Sequence, residues 1–143
     1  KLSDIKDDNY QIVSNSNIKE DIIKNSFFAV SKSGTVSLEI SKYEVPSIII
    51  YKMNPINFFF IKRLVKTKFA NIINIINQKE IIPELLQSEC NPKEIFNSVN
   101  YFIQKPELIN KQKELVKKTL KSMQNDELSS LNAANIVLNY INN

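Results

Sequence analysis

Apolar and polar positions alternate in short blocks over the first fifty residues. Tyr10-Gln11-Ile12-Val13 reads as a short strand, and Ser14-Asn15-Ser16-Asn17 is turn chemistry that offers a helix cap. Ile18, Ile22 and Ile23 recur at helical spacing and predict a helix over 18–25. The run Phe27-Phe28-Ala29-Val30 predicts a buried strand reaching residue 31, followed by a helix over 34–43. Val45-Pro46 closes that helix, because proline disfavours helical geometry in the residue before it. The β-branched run Ser47-Ile48-Ile49-Ile50-Tyr51 suits a parallel strand covered on both faces. This alternation predicts right-handed βαβ units in an α/β, Rossmann-like, doubly wound parallel sheet.

The second half reads as mostly helical. Residues 56–69 place apolar side chains most of the way round their first half, then Lys62, Arg63, Lys66 and Lys68. Pattern alone favours a buried helix with a solvated basic end there over a segment lying on an anionic surface. Residues 71–77 suit a strand or an irregular loop, and 80–89 a helix with Pro83 near its first turn. Asn91-Pro92 caps a helix to about 104, Lys105-Pro106 breaks it, and 107–123 is a Lys-rich amphipathic helix. Asp126 caps a last helix to about 142, with Leu128, Leu131, Ala134, Val137, Leu138 and Ile141 towards the core. The expected organisation is a Rossmann-like domain over 1–105 with a helical tail, 106–143, belonging to it.

Composition narrows the chemistry. A length of 143 residues, 43% hydrophobic and 24% charged, suits one globular domain with a core. The net charge of +4 is spread along the chain, which suits a nucleotide or an anionic membrane and ranks nucleic acid low. Histidine is absent, so the commonest general base and metal ligand is missing from this stretch. The single Cys90 cannot form an internal disulfide, which fits a reducing compartment. No stretch approaches the length of a membrane span and no signal peptide is visible. A chain opening on Lys1 is compatible with a fragment.

Gly34 is the only glycine in the chain, and it stands between the second expected strand and the next helix. A chain that uses glycine once needs it where backbone bends tightly or approaches a ligand. Ser33-Gly34-Thr35 supplies hydroxyls and backbone N–H groups at a helix N-terminus, which suits a phosphate. Glu39 lies about one turn further on, where a carboxylate can accept from sugar hydroxyls. The plainer reading is a structural corner with Ser33 as a cap, and spacing alone favours it. In the expected sheet, this corner and Tyr51-Lys52-Met53-Asn54-Pro55 both sit at the carboxyl ends of strands, where such sheets bind ligands.

Several blocks then occur in order: Ser33-Gly34-Thr35-Val36-Ser37-Leu38-Glu39, Pro46, Tyr51-Lys52-Met53-Asn54-Pro55, Lys62-Arg63-Leu64-Val65-Lys66-Thr67 and Glu84-Leu85-Leu86-Gln87. Together they resemble lipid-A-disaccharide synthase, a bacterial glycosyltransferase family, over about residues 26–95. The resemblance is to the family's C-terminal half. It implies a GT-B architecture, two Rossmann-like domains facing across a cleft, with this part holding the nucleotide-sugar donor. It implies that Ser33, Gly34 and Thr35 face the diphosphate and Glu39 the ribose. Asn74 matches an asparagine in a Leu-Pro-Asn-Leu stretch of the donor site, although here the stretch is Ile72-Ile73-Asn74-Ile75 and lacks the proline. Lys32 stands where a small residue is expected.

The resemblance further implies transfer of 2,3-diacylglucosamine from UDP to 2,3-diacylglucosamine 1-phosphate, without metal or cofactor. The partners implied are the UDP-sugar, the lipid acceptor, the N-terminal half with the catalytic residue, and the cytoplasmic face of the inner membrane. The 143 residues alone are then expected to be inactive. A homodimer stays open. With acylated substrates, Phe58, Phe59, Phe60, Lys62, Arg63 and Lys66 become an expected membrane or acyl-chain contact. Two alternatives stand beside this reading: a non-catalytic nucleotide- or membrane-binding module, and another GT-B transferase such as the peptidoglycan N-acetylglucosaminyltransferase.

Overall fold

The computed structural model of the chain describes residues 10–54, 56, 58, 63, 67–124, 137 and 138. Among them, three strands form one open, wholly parallel sheet in the order β1-β2-β3: β1 is Ala29–Lys32, β2 Ser47–Tyr51 and β3 Glu84–Leu86. Five helices accompany them: α1 (Ser16–Asn25), α2 (Thr35–Lys42), α3 (Ile72–Asn77), α4 (Pro92–Ile103) and α5 (Pro106–Met123). This α/β arrangement is compatible with a Rossmann-like domain.

The β-branched run forms the central strand for the expected reason. Ile48 and Ile49 point to opposite faces and both are fully buried. Val30 pairs with Ile48 on one side, and Ile50 with Leu85 on the other. Ile49 joins Ile73, Ile81, Ile82 and Val116 in the core, with Leu38, Leu115 and Leu120 packed against it. Each such side chain, taken fully out of water, contributes about 1.5–3 kcal/mol. Helix α5 packs across α2, α3 and α4. Its buried Gln112 clamps the start of β2: Oε1 accepts from the Ser47 N–H at 2.8 Å, and Nε2 donates to the Ser47 carbonyl at 3.0 Å.

Several sequence expectations need correction. Residues 10–13 pair with no strand among the described residues, and Ile12 lies in solvent, so this segment has no buried face to hold it in a sheet. The strand expected over 27–31 runs two residues later at its start, because Phe27 is exposed. Residues 71–77 are neither strand nor loop. Asn71 caps α3 by accepting from the Ile73 N–H at 2.9 Å, which starts a helix that the Asn-rich composition hides. The helix expected over 80–89 is instead β3. Ile49 N–H donates to the Pro83 carbonyl, Leu85 and Leu86 pair beside β2, and Gln87 turns away with φ 52°. The ladder thus overrides a helical pattern. Helix α4 starts as expected, with Asn91 Oδ1 accepting from the Glu94 N–H at 3.0 Å.

The expected last helix lies mostly outside the described residues. Val137 and Leu138 are helical but exposed, so the described part of it does not face the core.

Candidate functional site

The carboxyl ends of β1 and β2 lie side by side, with Lys32 Nζ 5.2 Å from the centre of the Tyr51 ring. Beyond β1 the chain turns at Gly34, whose φ of 135° and ψ of −160° suit glycine alone. A Cβ built on Gly34 would meet nothing within 4 Å, so the backbone there faces open space. Gly34 is also the N-cap of α2 and offers no side chain to it. Ser37 N–H turns back to the Gly34 carbonyl at 3.1 Å. The N–H groups of Thr35 and Val36, both exposed, have no acceptor within the helix. A cavity of about 640 Å³ opens beside this corner, lined by residues 28–36 together with Lys19, Ile23, Ser26, Ile40 and Val45.

A closed ring of hydrogen bonds holds the corner. Ser33 Oγ donates to the Ala70 carbonyl at 2.6 Å. Ser37 Oγ donates to the Gly34 carbonyl at 2.6 Å and accepts from Asn71 Nδ2 at 3.1 Å. Ala70 and Asn71 are in turn fixed by one carboxylate. Glu84 accepts from Ala70 N–H at 2.6 Å, from Asn71 N–H at 3.0 Å and from Asn74 Nδ2 at 2.7 Å. Glu84 is 8% exposed, and a buried carboxylate needs such partners. The segment after β2 is held the same way: Gln87 Oε1 accepts from Met53 N–H at 2.8 Å and Nε2 donates to the Met53 carbonyl at 3.2 Å.

The expected site residues are therefore distributed in three ways. Ser33, Gly34 and Thr35 stand together at the corner, but Gly34 holds the N-cap position and no side chain caps α2, so Ser33 is not its cap; the Ser33 hydroxyl donates to the Ala70 carbonyl instead. Glu39 is half-buried one turn along α2, where Oε2 accepts from Lys19 Nζ of α1 at 2.7 Å. Its Oε1 takes no hydrogen bond from the described residues. Asn74 is fully buried away from the cavity. Its Oδ1 accepts from the N–H groups of Ile81 and Ile82, and its Nδ2 donates to Ile82 and Glu84. That uses every position an amide side chain has, so Asn74 reaches the corner only through Glu84. Phe58 is half-buried and Arg63 exposed, both helical, while Phe59, Phe60, Lys62 and Lys66 lie outside the described residues.

A family model described as Lipid-A-disaccharide synthetase matches residues 2–138. The chain belongs to that family. It is 42% identical to the lipid-A-disaccharide synthase of Sulfurihydrogenibium sp. (strain YO3AOP1) over 103 residues, which is 70% of this chain and 26% of the relative. It is 32% identical to that of Rhodospirillum centenum (strain ATCC 51521 / SW) over 124 residues, 86% of this chain and 31% of the relative. It is 48% identical to that of Rickettsia conorii (strain ATCC VR-613 / Malish 7) over 71 residues, 50% of this chain and 16% of the relative. The chain thus spans under a third of the length of these relatives.

Membership of the family gives the ring around Gly34 a context that residue types alone did not. Glu84 and Gln87 belong to one of the ordered blocks that carry the resemblance, yet reading the sequence assigned them no task. The available signal was an acid beside apolar Leu85 and Leu86, which suggests a buried carboxylate with backbone donors to satisfy.

Proposed function

We propose that this chain is the donor-binding half of a lipid-A-disaccharide synthase with a GT-B architecture. The observation that carries this is the Gly34 corner: an uncapped helix N-terminus on an open cavity, at the carboxyl end of a parallel strand, with Lys32 beside it. Backbone N–H groups of Thr35 and Val36, the Thr35 hydroxyl and the Lys32 ammonium would receive the diphosphate of a UDP-sugar. Ser33 would act by holding the corner in shape. Glu39 would accept from the ribose hydroxyls through its unused Oε1. Charge building up on the departing diphosphate is then met by groups already in position, so little reorganisation is needed as the sugar leaves.

On this reading the sugar transferred is 2,3-diacylglucosamine and the acceptor is 2,3-diacylglucosamine 1-phosphate, in lipid A biosynthesis. The catalytic residue comes from the N-terminal half across the cleft, and the 143 residues alone do not turn over. Phe58 and Arg63, with their neighbours in sequence, contact acyl chains or the inner face of the membrane. This contact is peripheral on the same reading. No helix among the described residues is long and apolar enough to cross a membrane.

Titration calorimetry with UDP tests the corner. Glu39→Ala removes the ribose acceptor and should weaken affinity roughly ten- to a hundredfold, the worth of a hydrogen bond to a charged group. Glu39→Gln keeps one acceptor and should lie at the mild end. Unchanged affinity in a folded Glu39→Ala protein removes this residue from the site.

A further inference from the structure

A second cavity, of about 410 Å³, opens between α4, α5 and the segment that leads into β3. Pockets that hold small molecules run from roughly 300 to 1,000 Å³. Its floor is Ile81 and Phe102, which are 8% and 9% exposed, so the little surface they keep is turned to the cavity. Leu108 and Leu115 of α5 form an apolar wall. Gln112 also lines it: Nε2 donates to the Ile81 carbonyl at 3.3 Å, while Oε1 holds the Ser47 N–H. The cavity therefore sits at the amino ends of β2 and β3. In this parallel sheet that is the opposite end from the Gly34 corner, which follows the carboxyl end of β1.

The rim of the cavity is basic. Lys79 and Lys111 are exposed there, and neither forms an ion pair among the described residues. Lys105 Nζ stands 4.0 Å from the centre of the Tyr101 ring, which brings a third ammonium against a residue of the lining. Glu80 is the acid in this lining, and its Oε1 is turned to the Glu84 N–H at 3.3 Å. The hydroxyls of Ser98 and Tyr101 make no hydrogen bond among the described residues. Cations gathered without counter-charges raise the local potential and draw an anion. An apolar floor beneath them favours a ligand that carries an apolar body out of water. We propose that this cavity binds a single-chain amphiphilic anion. Its carboxylate or phosphate head lies at Lys79, Lys111 and the two hydroxyls, and its short apolar body lies on the floor and the α5 wall. Occupancy braces Gln112 and, through it, the start of β2. This inference is independent of where the UDP-sugar sits.

Octyl phosphate and octanoate, kept below the concentrations at which they aggregate, are the probes. Amide NMR shifts of the 143-residue chain report where they bind. At least one of the two should give saturable shifts at Ile81, Ser98 and Leu108, and saturating UDP should leave that binding unchanged. Hexyl phosphate, two methylenes shorter, should bind roughly tenfold more weakly than octyl phosphate. 1-Octanol and inorganic phosphate each carry half of the chemistry and should both bind at least roughly tenfold more weakly. Lys79→Gln combined with Lys111→Gln changes two exposed side chains, so this variant should fold and lose roughly tenfold in affinity. Ser98→Leu fills the cavity from α4 and, where folded, should abolish the shifts. Binding by neither probe overturns the proposal, as do 1-octanol binding as tight as that of octyl phosphate and shifts confined to the Gly34 corner. Unchanged affinity in the folded lysine variant or in folded Ser98→Leu overturns it as well.

Discussion

Ser33 Oγ and the Ala70 carbonyl are joined by a 2.6 Å hydrogen bond across 37 residues of chain, tying the turn after β1 to the segment that enters α3. Ser33→Ala leaves that carbonyl without its donor in a half-buried place. The expected loss is about 1 kcal/mol, read by urea denaturation. Exchange of the Ser37 amide, which donates to the Gly34 carbonyl, should quicken at the same time. Unchanged stability and exchange would mean that the corner is held without this bond.

Glu84 carries more. Its three acceptor bonds fix the Ala70 and Asn71 backbone and the Asn74 amide. Glu84→Ala should cost about 3 kcal/mol or more, because buried donors lose their partner at once. Asn74→Ala should cost a similar amount, and the double variant clearly less than the sum, since the two residues share one network. Denaturation of the two single variants and the double variant measures this. Strict additivity would show that they act separately.

Gly34 faces space rather than a neighbour, so the cost of a side chain there is conformational. Gly34→Ala should lose about 1–3 kcal/mol from its φ of 135° and not from a clash. Gly34→Val adds a branched side chain at the mouth of the cavity and should weaken UDP binding further than stability alone accounts for. Thermal unfolding and calorimetry on the same samples separate the two effects. An Ala variant as stable as the parent would place the turn in a different conformation.

The contact between α1 and α2 is pH-dependent. Tyr43 Oη donates to Glu20 Oε1, and Lys24 Nζ lies 2.9 Å from the same carboxylate. The Tyr43 hydrogen bond, then Lys24, hold the Glu20 carboxyl below the usual carboxylate range, while the bond to Glu20 holds the Tyr43 hydroxyl above the usual phenol range. The Glu20 contribution is present above its unfolded pKa and is lost as pH falls through the lower folded value. The Tyr43 contribution is complete below its unfolded pKa and is lost as pH rises through the higher folded value. Glu20→Gln should therefore flatten the acid limb of a thermal-stability profile, and Tyr43→Phe the alkaline limb. Profiles parallel to the parent's would remove this contact as a pH-sensitive one.

The sequence by itself determined the elements whose signals are local. The Ile48-Ile49-Ile50 run specified a strand buried on both faces, because β-branched side chains with no polar alternation have no solvent face to offer. Asn91-Pro92 specified a helix start, because a cap and a first-turn proline act within four residues. The sole glycine marked the corner whose φ of 135° suits glycine alone. The tertiary structure alone decided the rest. Glu84–Leu86 is a strand only because β2 offers a free edge at residues 49–51, and residues 10–13 are not one because no strand among the described residues pairs with them. Asn74 and Glu84 were legible as polar residues, but their burial and mutual bonding depend on long-range packing of α3 beside β3. Hydrogen-bond partners far apart in sequence, such as Ser33 and Ala70, are set by how the strands align, and no local pattern encodes that alignment.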